Sequence, residues 1–253
     1  MSDKEKKLCQ ELDEAEFLAR LNRVFAKNEL DRYLTKERAE KLLLLAKRLI
    51  EVNAQYNLTA ITDMDGIILK HFADCVALAP LIPPKASLLD VGTGAGFPSL
   101  PLAICRPDIS VTAMDATEKK VRYVGETAEI LAIGNLTAMN ARAEDCAVGS
   151  MRAAFDVVTA RAVSELRILS ELCLPFCRKG GLFLAMKGKN VENELKAAKK
   201  AIPTLGGRLI SSTEDTLTNE SESISRFVVV IEKSGATPAL YPRPYAKILK
   251  SPL

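Results

Sequence analysis

The residues whose types and spacing could do chemistry begin with a glycine turn, Asp90-Val91-Gly92-Thr93-Gly94-Ala95-Gly96-Phe97-Pro98. Its glycines let the backbone turn sharply and approach a ligand with no side chain between. Pro98 suits the first turn of a following helix. The spacing excludes two common nucleotide sites. A dinucleotide fingerprint needs G-x-G-x-x-G or a closing Ala, but the closing position is Phe97 counted from Gly92 and Ser99 counted from Gly94. The phosphate-cradling G-x-x-x-x-G-K-[ST] pattern is absent. Asp115 follows, nineteen residues past Gly96, where a carboxylate can accept hydrogen bonds from both hydroxyls of a ribose. Farther on, Ala143 and Glu144 stand where a backbone amide and a carboxylate would read an adenine ring. Each position has a plainer alternative: a tight turn for the glycines, a helix cap for Asp115 and a surface residue for Glu144.

These residues need a frame that brings them together. From residue 86 short apolar runs alternate with amphipathic segments. The runs are Ser87–Val91, Ile109–Met114, Phe155–Ala160 and Leu182–Met186, with a weaker one from Asn135 to Met139. Near-continuous apolar runs of this length suit strands covered on both faces. The segments between them, near 98–105, 118–132, 164–177 and 190–202, read as helices. Strand–helix alternation implies a parallel, doubly wound sheet, which binds ligands at the carboxyl ends of its strands. Arg208–Ser211 and Phe227–Ile231 have no full helix between them, so an antiparallel last pair is expected. Residues 1–85 read as a helical region, with Thr35 as a cap and a leucine run too clustered for a one-sided helix. Asp63 and Asp65 are candidate caps for the next helix. The division expected is 1–85 helical, 86–233 a sheet domain, and 234–253 a basic, proline-containing extended tail.

Composition removes several function classes. The 253 residues are 48% hydrophobic and 26% charged with a formal net charge of +3, ordinary for a globular protein. No apolar stretch of about 18 residues marks a membrane span, and the charged start Met1–Lys7 lacks the features of a signal peptide. A cytoplasmic, monomeric protein with no membrane association is expected. With one histidine, His71, a histidine-based zinc site or a Ser-His-Asp triad is not expected, and no metal is called for. The six cysteines form no CxxC pair and read as small buried hydrophobes. Cys173 and Cys177, four apart, would share a face if both lay on one helix.

A G-x-G-x-G turn after an acidic, apolar strand resembles the first motif of class I methyltransferases, whose cofactor is S-adenosyl-L-methionine. Methyl transfer from a sulfonium is an in-line displacement, and much of its catalysis comes from positioning. The acceptor leaves marks of its own. Attack on pyrimidine C5 needs a cysteine nucleophile, typically after proline, and no Pro-Cys pair occurs. Exocyclic amines are usually served by Asn/Asp-Pro-Pro-aromatic after the fourth strand, where this chain has Thr159-Ala160-Arg161-Ala162. An acceptor with a free lone pair, such as guanine N7, needs neither device and no general base. Basic residues gather near the expected active edge: Lys119, Lys120, Arg122, Arg142, Arg161, Lys187 and Lys189. They suit RNA phosphates, although each alone can be a solvated rim. Arg161, directly after a strand, is placed to hydrogen-bond the cofactor region or a phosphate.

Several segments together resemble the bacterial glucose-inhibited division protein B family, the small-subunit rRNA guanine-N7 methyltransferases. They are Gln55–Ile61, Lys70-His71, Asp90–Pro98, Thr159–Ala162 and Met186-Lys187-Gly188, within a match over about residues 45–235. The resemblance implies N7 methylation of one guanosine in 16S rRNA, on naked RNA or on the small ribosomal subunit. It also implies a class I, Rossmann-like fold with a helical N-terminal extension. The family's cofactor positions carry over onto Gly92, Phe97, Ala143, Glu144 and Arg161, beside Gly94 and Asp115 from the motif. Arg161 and Lys187 are the expected active-site residues, and Arg142, Lys187 and Asn57 the expected substrate contacts. The alternatives are a methyltransferase for a small molecule or protein, and a non-catalytic RNA-binding factor that kept the fold.

Overall fold

The computed structural model describes residues 13–161 and 164–253. Met1–Lys7, Cys9 and Ala162, each used above, lie outside the described residues. Seven strands form one sheet in the order β3-β2-β1-β4-β5-β7-β6: β1 (Ser87–Val91), β2 (Ser110–Asp115), β3 (Leu136–Asn140), β4 (Phe155–Arg161), β5 (Cys177–Lys187), β6 (Gly207–Thr218) and β7 (Ser223–Lys233). The first five are parallel, and β7 runs antiparallel to both β5 and β6. The order reverses between β1 and β4, so the glycine turn after β1 and Arg161 at the end of β4 meet at the switch point, where open sheets of this kind bind ligands.

Alternation along the strands builds two cores. Leu88, Val157, Leu184, Met186, Val228 and Val230 face one layer, whereas Leu89, Val158, Ala160, Phe183, Ala185, Val229 and Ile231 face the other. This period-two split is what a strand buried on both sides requires. The first layer is filled by the N-terminal helices. Helix α1 (Glu14–Lys27) is capped by Asp13, whose Oδ1 accepts from the backbone of Ala15 and Glu16. Its Phe17, Leu21, Val24 and Phe25 are buried at the spacing of one helical face. Helix α2 (Lys36–Tyr56) starts at Thr35, whose hydroxyl accepts from Arg38 N, and ends at Asn57 in the left-handed conformation. Leu42, Leu43, Leu45, Ala46, Leu49 and Ile50 are buried while Leu44 is 48% exposed, so the clustered leucines make one broad apolar sector. Helix α3 begins at Met64–Gly66, widens into a π-type segment, Ile67–Ala73, and ends at Asp74–Val76. Asp63 caps it, whereas Asp65 pairs with Arg20 of α1.

Helices α4 (Ser99–Cys105) and α5 (Glu118–Ile130) also pack in the first layer, whereas the second holds the short α6 (Ala143–Cys146), α7 (Leu166–Cys173), α8 (Val191–Ala198) and α9 (Ala201–Thr204), which leads into β6. Two expectations need correction. Cys173 and Cys177 do not share a helix: a 3-10 turn, Leu174–Phe176, ends α7 and Cys177 opens β5. Pro175 in that turn cannot continue the helical ladder. The tail is not extended throughout. Residues 234–244 are irregular, but Tyr245–Lys250 form helix α10 and Ile248 is fully buried in the second core. The prolines at 238, 242 and 244 all precede it, which leaves the last stretch free to coil.

The last hairpin is longer than its apolar residues suggest. Most of β6 is solvent-exposed Ser, Thr, Glu and Asp, and main-chain pairing with β7 carries it to Thr218. Its tip docks on α1: Asn28 Nδ2 donates to Thr218 O at 2.8 Å, Thr218 N donates back to Asn28 Oδ1 at 2.9 Å, and Lys27 Nζ donates to Asn219 O. The N-terminal helices are thus structural partners of the sheet. Phe17→Ala is expected to lower unfolding free energy by about 3–5 kcal/mol, and Leu44→Ala by no more than about 0.5 kcal/mol. Equilibrium urea denaturation measures both, and a tolerant Phe17 would show that this layer does not support the sheet.

Candidate active site

A cavity of about 730 Å³ opens at the switch point. Its floor is the glycine turn. Gly92 N and Thr93 N both donate to Met114 O, at 2.8 and 2.9 Å, which ties the turn to the end of β2. Gly94 and Gly96 hold φ of 59° and 82°, a region that favours glycine. The two differ in purpose. A Cβ on Gly96 would stand 2.3 Å from Leu100 Cδ1, so this glycine lets the following helix pack closely. A Cβ on Gly94 would meet nothing nearer than 4.0 Å, so its missing side chain leaves open space in the cavity floor. Asp115 closes the loop: Oδ2 accepts from Gly94 N at 3.0 Å and Oδ1 from Thr117 N at 2.8 Å. Both carboxylate oxygens keep a spare lone pair for a ligand.

Beneath the turn lies Asp90, wholly buried, with no hydrogen-bond partner on either oxygen. Burial pushes its carboxyl up to about 6. The Thr93 and Ser99 hydroxyls and the charge of Arg161 favour the ionised form, but the two hydroxyls bond each other at 2.5 Å.

One wall is built from α3, β4 and Phe97. Arg161 Nη1 donates to Lys70 O at 3.0 Å and lies 3.4 Å from Asp74 Oδ2, and its Nη2 meets His71 Nδ1 at 3.2 Å. A guanidinium only donates, so His71 Nδ1 accepts and its Nε2–H donates to Thr59 Oγ1, 3.0 Å away. The imidazole stacks on Phe97 with ring centroids 4.3 Å apart and planes 4° from parallel. Burial, reinforced by the Arg161 charge, depresses the His71 pKa to about 3, so the ring is neutral at physiological pH. The cavity is also lined by Ala141, Arg142, Ala143, Glu144, Leu172 and Tyr245.

Gly92, Gly94, Phe97, Asp115, Arg142, Ala143, Glu144 and Arg161 therefore share one cavity. Two expected residues stand outside it. Lys187 is buried, forms an ion pair with Glu194 at 2.6 Å and donates to Ser164 O. It lines a neighbouring cavity of about 420 Å³ with Lys70, Asp74, Arg161 and Arg226. Asn57 is exposed as the left-handed cap of α2, and the residues just after it, Leu58, Thr59 and Ile61, reach the main cavity. The sequence does not single out Leu172 or Tyr245, while Thr59 and His71 enter it within the family-like segments Gln55–Ile61 and Lys70-His71. Nothing local marks a tyrosine in a tail as part of a cavity formed some hundred residues earlier.

The two buried titrating groups act in opposite directions. His71, depressed from 6.5 to about 3, contributes stability that is complete above pH 6.5 and lost as pH falls toward 3. Asp90, raised from 3.8 to about 6, contributes below 3.8 and loses that contribution as pH rises through 6. His71→Gln keeps a polar group but removes the imidazole titration. Between pH 7 and 4 its melting temperature is expected to fall less steeply than that of the wild type. Equal slopes in a thermal-melt series would contradict the buried, neutral imidazole.

Comparison with known proteins agrees with this geometry. Among solved structures, the M. jannaschii TYW2 structure in complex with AdoMet aligns with a TM-score of 0.52 at 16% identity, over 64% of this chain and 75% of that one. An Aquifex aeolicus SAM-dependent methyltransferase aligns at 0.50 and 18% identity, over 68% and 94%. These likenesses establish the class I fold. In sequence, the chain is 42% identical over 232 residues to the Ribosomal RNA small subunit methyltransferase G of Lactococcus lactis subsp. cremoris, covering 90% of this chain and 96% of the relative. It is 39% identical over 220 residues to the protein of that name from Clostridium perfringens, covering 86% and 91%. The family model described as rRNA small subunit methyltransferase G matches residues 38–221. The switch-point cavity, its glycine floor and these matches together mean that the chain belongs to the GidB family, rRNA small subunit methyltransferase G.

Proposed function

We propose that this chain transfers the methyl group of S-adenosyl-L-methionine to N7 of a single guanosine in the 16S rRNA of the small ribosomal subunit, as a cytoplasmic monomer. The observation that carries this reading is the convergence of Gly94, Asp115, Glu144 and Arg161 on one cavity in a chain of this family. The residues present fit the cofactor. The space left at Gly94 admits a ligand against the backbone, Asp115 keeps lone pairs for ribose hydroxyls, and the unpartnered Asp90 supplies negative charge below the floor. Ala143 and Glu144 are placed to read the adenine edge.

The bound cofactor supplies an electrophilic methyl group on a sulfonium. Bound there, it would give up that methyl to N7, with the electron pair of the carbon–sulfur bond left on sulfur. No proton leaves N7, so no general base is needed, in keeping with a His71 held neutral by burial and engaged at both nitrogens. Positive charge passes from sulfur to the guanine ring. Asp90, Asp115 and Glu144 offset that charge at both stages, and the rigid cavity fixes the distance of attack.

The sequence offers Arg161 as a donor to the cofactor region or to a phosphate, and in the fold it also holds the cavity wall together. Three of its N–H groups face Lys70 O, Asp74 Oδ2 and His71 Nδ1, and its guanidinium lies 5.3 Å from the Phe97 ring centre. It lines both the cofactor cavity and the neighbouring basic one, so in this reading it orders the boundary across which guanine meets the methyl group. Lys120 and Arg142, which line the main cavity, remain as phosphate contacts. Among the described residues no helix is long and apolar enough to cross a membrane.

Purified protein, labelled S-adenosylmethionine and either naked 16S rRNA or small subunits test the reading. Label at one guanosine, mapped by cleavage at N7-methylguanosine, is expected. Label confined to protein or small molecules, or found at another base atom, would overturn it. Asp115→Ala is expected to weaken S-adenosylhomocysteine binding about tenfold or more, as loss of charge-assisted hydrogen bonds implies. Arg161→Ala should lower turnover at least about tenfold, yet retain a cooperative melt because Arg226 still pairs with Asp74. Turnover falling only in proportion to folded protein would make Arg161 structural.

A further inference from the structure

We infer that the segment after Lys233 is part of the cofactor site: Tyr245 forms the outer wall of the adenine subsite, and the Glu171–Arg243 ion pair is the clasp that holds it there. The tail looks like an appendage in sequence, basic and rich in proline. In the fold it returns across the second core and places Tyr245 in the lining of the main cavity, which Leu172 and Ala141–Glu144 also line. Tyr245 packs against the core that contains Val91, Met114, Ala143 and Leu172. An adenine ring presents two apolar faces and a polar edge. Glu144 and the Ala143 amide can read the edge, while an aromatic ring is the side chain best suited to cover a face.

The segment is held too tightly to be a passive end. Glu171, on α7, is fully buried, and its one charge partner is Arg243. Arg243 donates to it three times: backbone N at 2.9 Å, Nε at 2.8 Å and Nη2 at 2.6 Å. Arg243 Nη1 reaches on to Ser251 O at 3.1 Å, which braces the end of α10. A second arginine, Arg152, spends its guanidinium on main-chain oxygens of Ala147, Thr237, Pro238 and Tyr241. It thereby links the segment after the adenine-reading helix to the tail. Ile248, one turn beyond Tyr245, is fully buried. A buried carboxylate satisfied by a bidentate arginine is a specific, directional anchor, and this one fixes the two residues immediately before Tyr245.

The inference makes the tail a determinant of nucleoside affinity, in addition to any contact its lysines make with RNA. Calorimetric binding of S-adenosylhomocysteine to the full-length protein tests it without turnover. Tyr245→Ala should weaken binding about tenfold, with the melting temperature of the ligand-free protein little changed. Tyr245→Phe, which keeps the ring, should bind within about twofold of wild type. Lys247→Ala, on the exposed side of the same helix, serves as the control. Glu171→Gln should weaken binding in the same sense as Tyr245→Ala by loosening the clasp, and should leave the Kd ratio between Tyr245→Ala and wild type smaller in its own background. If Tyr245→Ala binds within twofold of a wild type that binds well, the inference falls while the cofactor assignment stands. Equal losses in Tyr245→Ala and Tyr245→Phe would also overturn it.

Discussion

The carboxylate of Asp74 is the point on which this architecture turns. It sits near the end of the third helix and receives two arginines from different strands: Arg161 from β4 and Arg226 from β7. One half-buried anion thus fastens the N-terminal layer to both halves of the sheet. Breaking such a junction leaves an uncompensated charge in a low-dielectric region, which is the expensive outcome. Once Arg161 is held by Asp74 and Lys70 O, its remaining nitrogen faces His71. His71 must then accept at Nδ1, and its ring lies flat on Phe97 at the mouth of the glycine turn. A cavity wall follows from one shared ion.

The same junction explains the electrostatics of the cavity. An arginine beside a buried imidazole opposes its protonation, and desolvation does so more strongly. The wall therefore carries its positive charge on Arg161 while the aromatic pair stays neutral. Below, Asp90 pays for its burial without a hydrogen-bond partner, an arrangement that is unfavourable in the free protein and useful where cationic sulfur and then a cationic base must be tolerated.

A class I fold does not by itself name an acceptor, because many chemistries share it. Here the discriminating features lie outside the shared sheet. The N-terminal helices supply His71, Thr59 and Lys70, and the C-terminal segment supplies Tyr245; both meet the sheet at its carboxyl edge. Relatives matching over most of their length carry the rRNA methyltransferase description, whereas the structural neighbours at 16–18% identity share the sheet.

Much of this was written locally in the chain. Apolar runs of five or six residues marked the parallel strands because strands buried on both faces must be apolar throughout. The G-x-G-x-G spacing and Asp115 marked the cavity floor because glycine takes positive φ at least cost and leaves open space beside the backbone. Ala143, Glu144 and Arg161 were marked by their places after β3 and β4, and family-level similarity then added Phe97; all four line the cavity. What the chain did not reveal locally depends on contacts across long separations. Most of β6 was invisible because its side chains face water and main-chain pairing alone holds it. Lys187 read as a free cation because nothing near it in sequence announces Glu194 as its partner in space. Tyr245 read as tail because its anchors are distant in sequence: Glu171, seventy-two positions before Arg243, and Arg152, which bonds the main chain of Thr237, Pro238 and Tyr241. Sequence by itself determined the elements and the chemistry of the floor, through short-range backbone preference and period. Tertiary structure decided which charges are free, which are spent on one another, and which distant aromatic rings close the cavity, because those outcomes depend on burial and partner geometry.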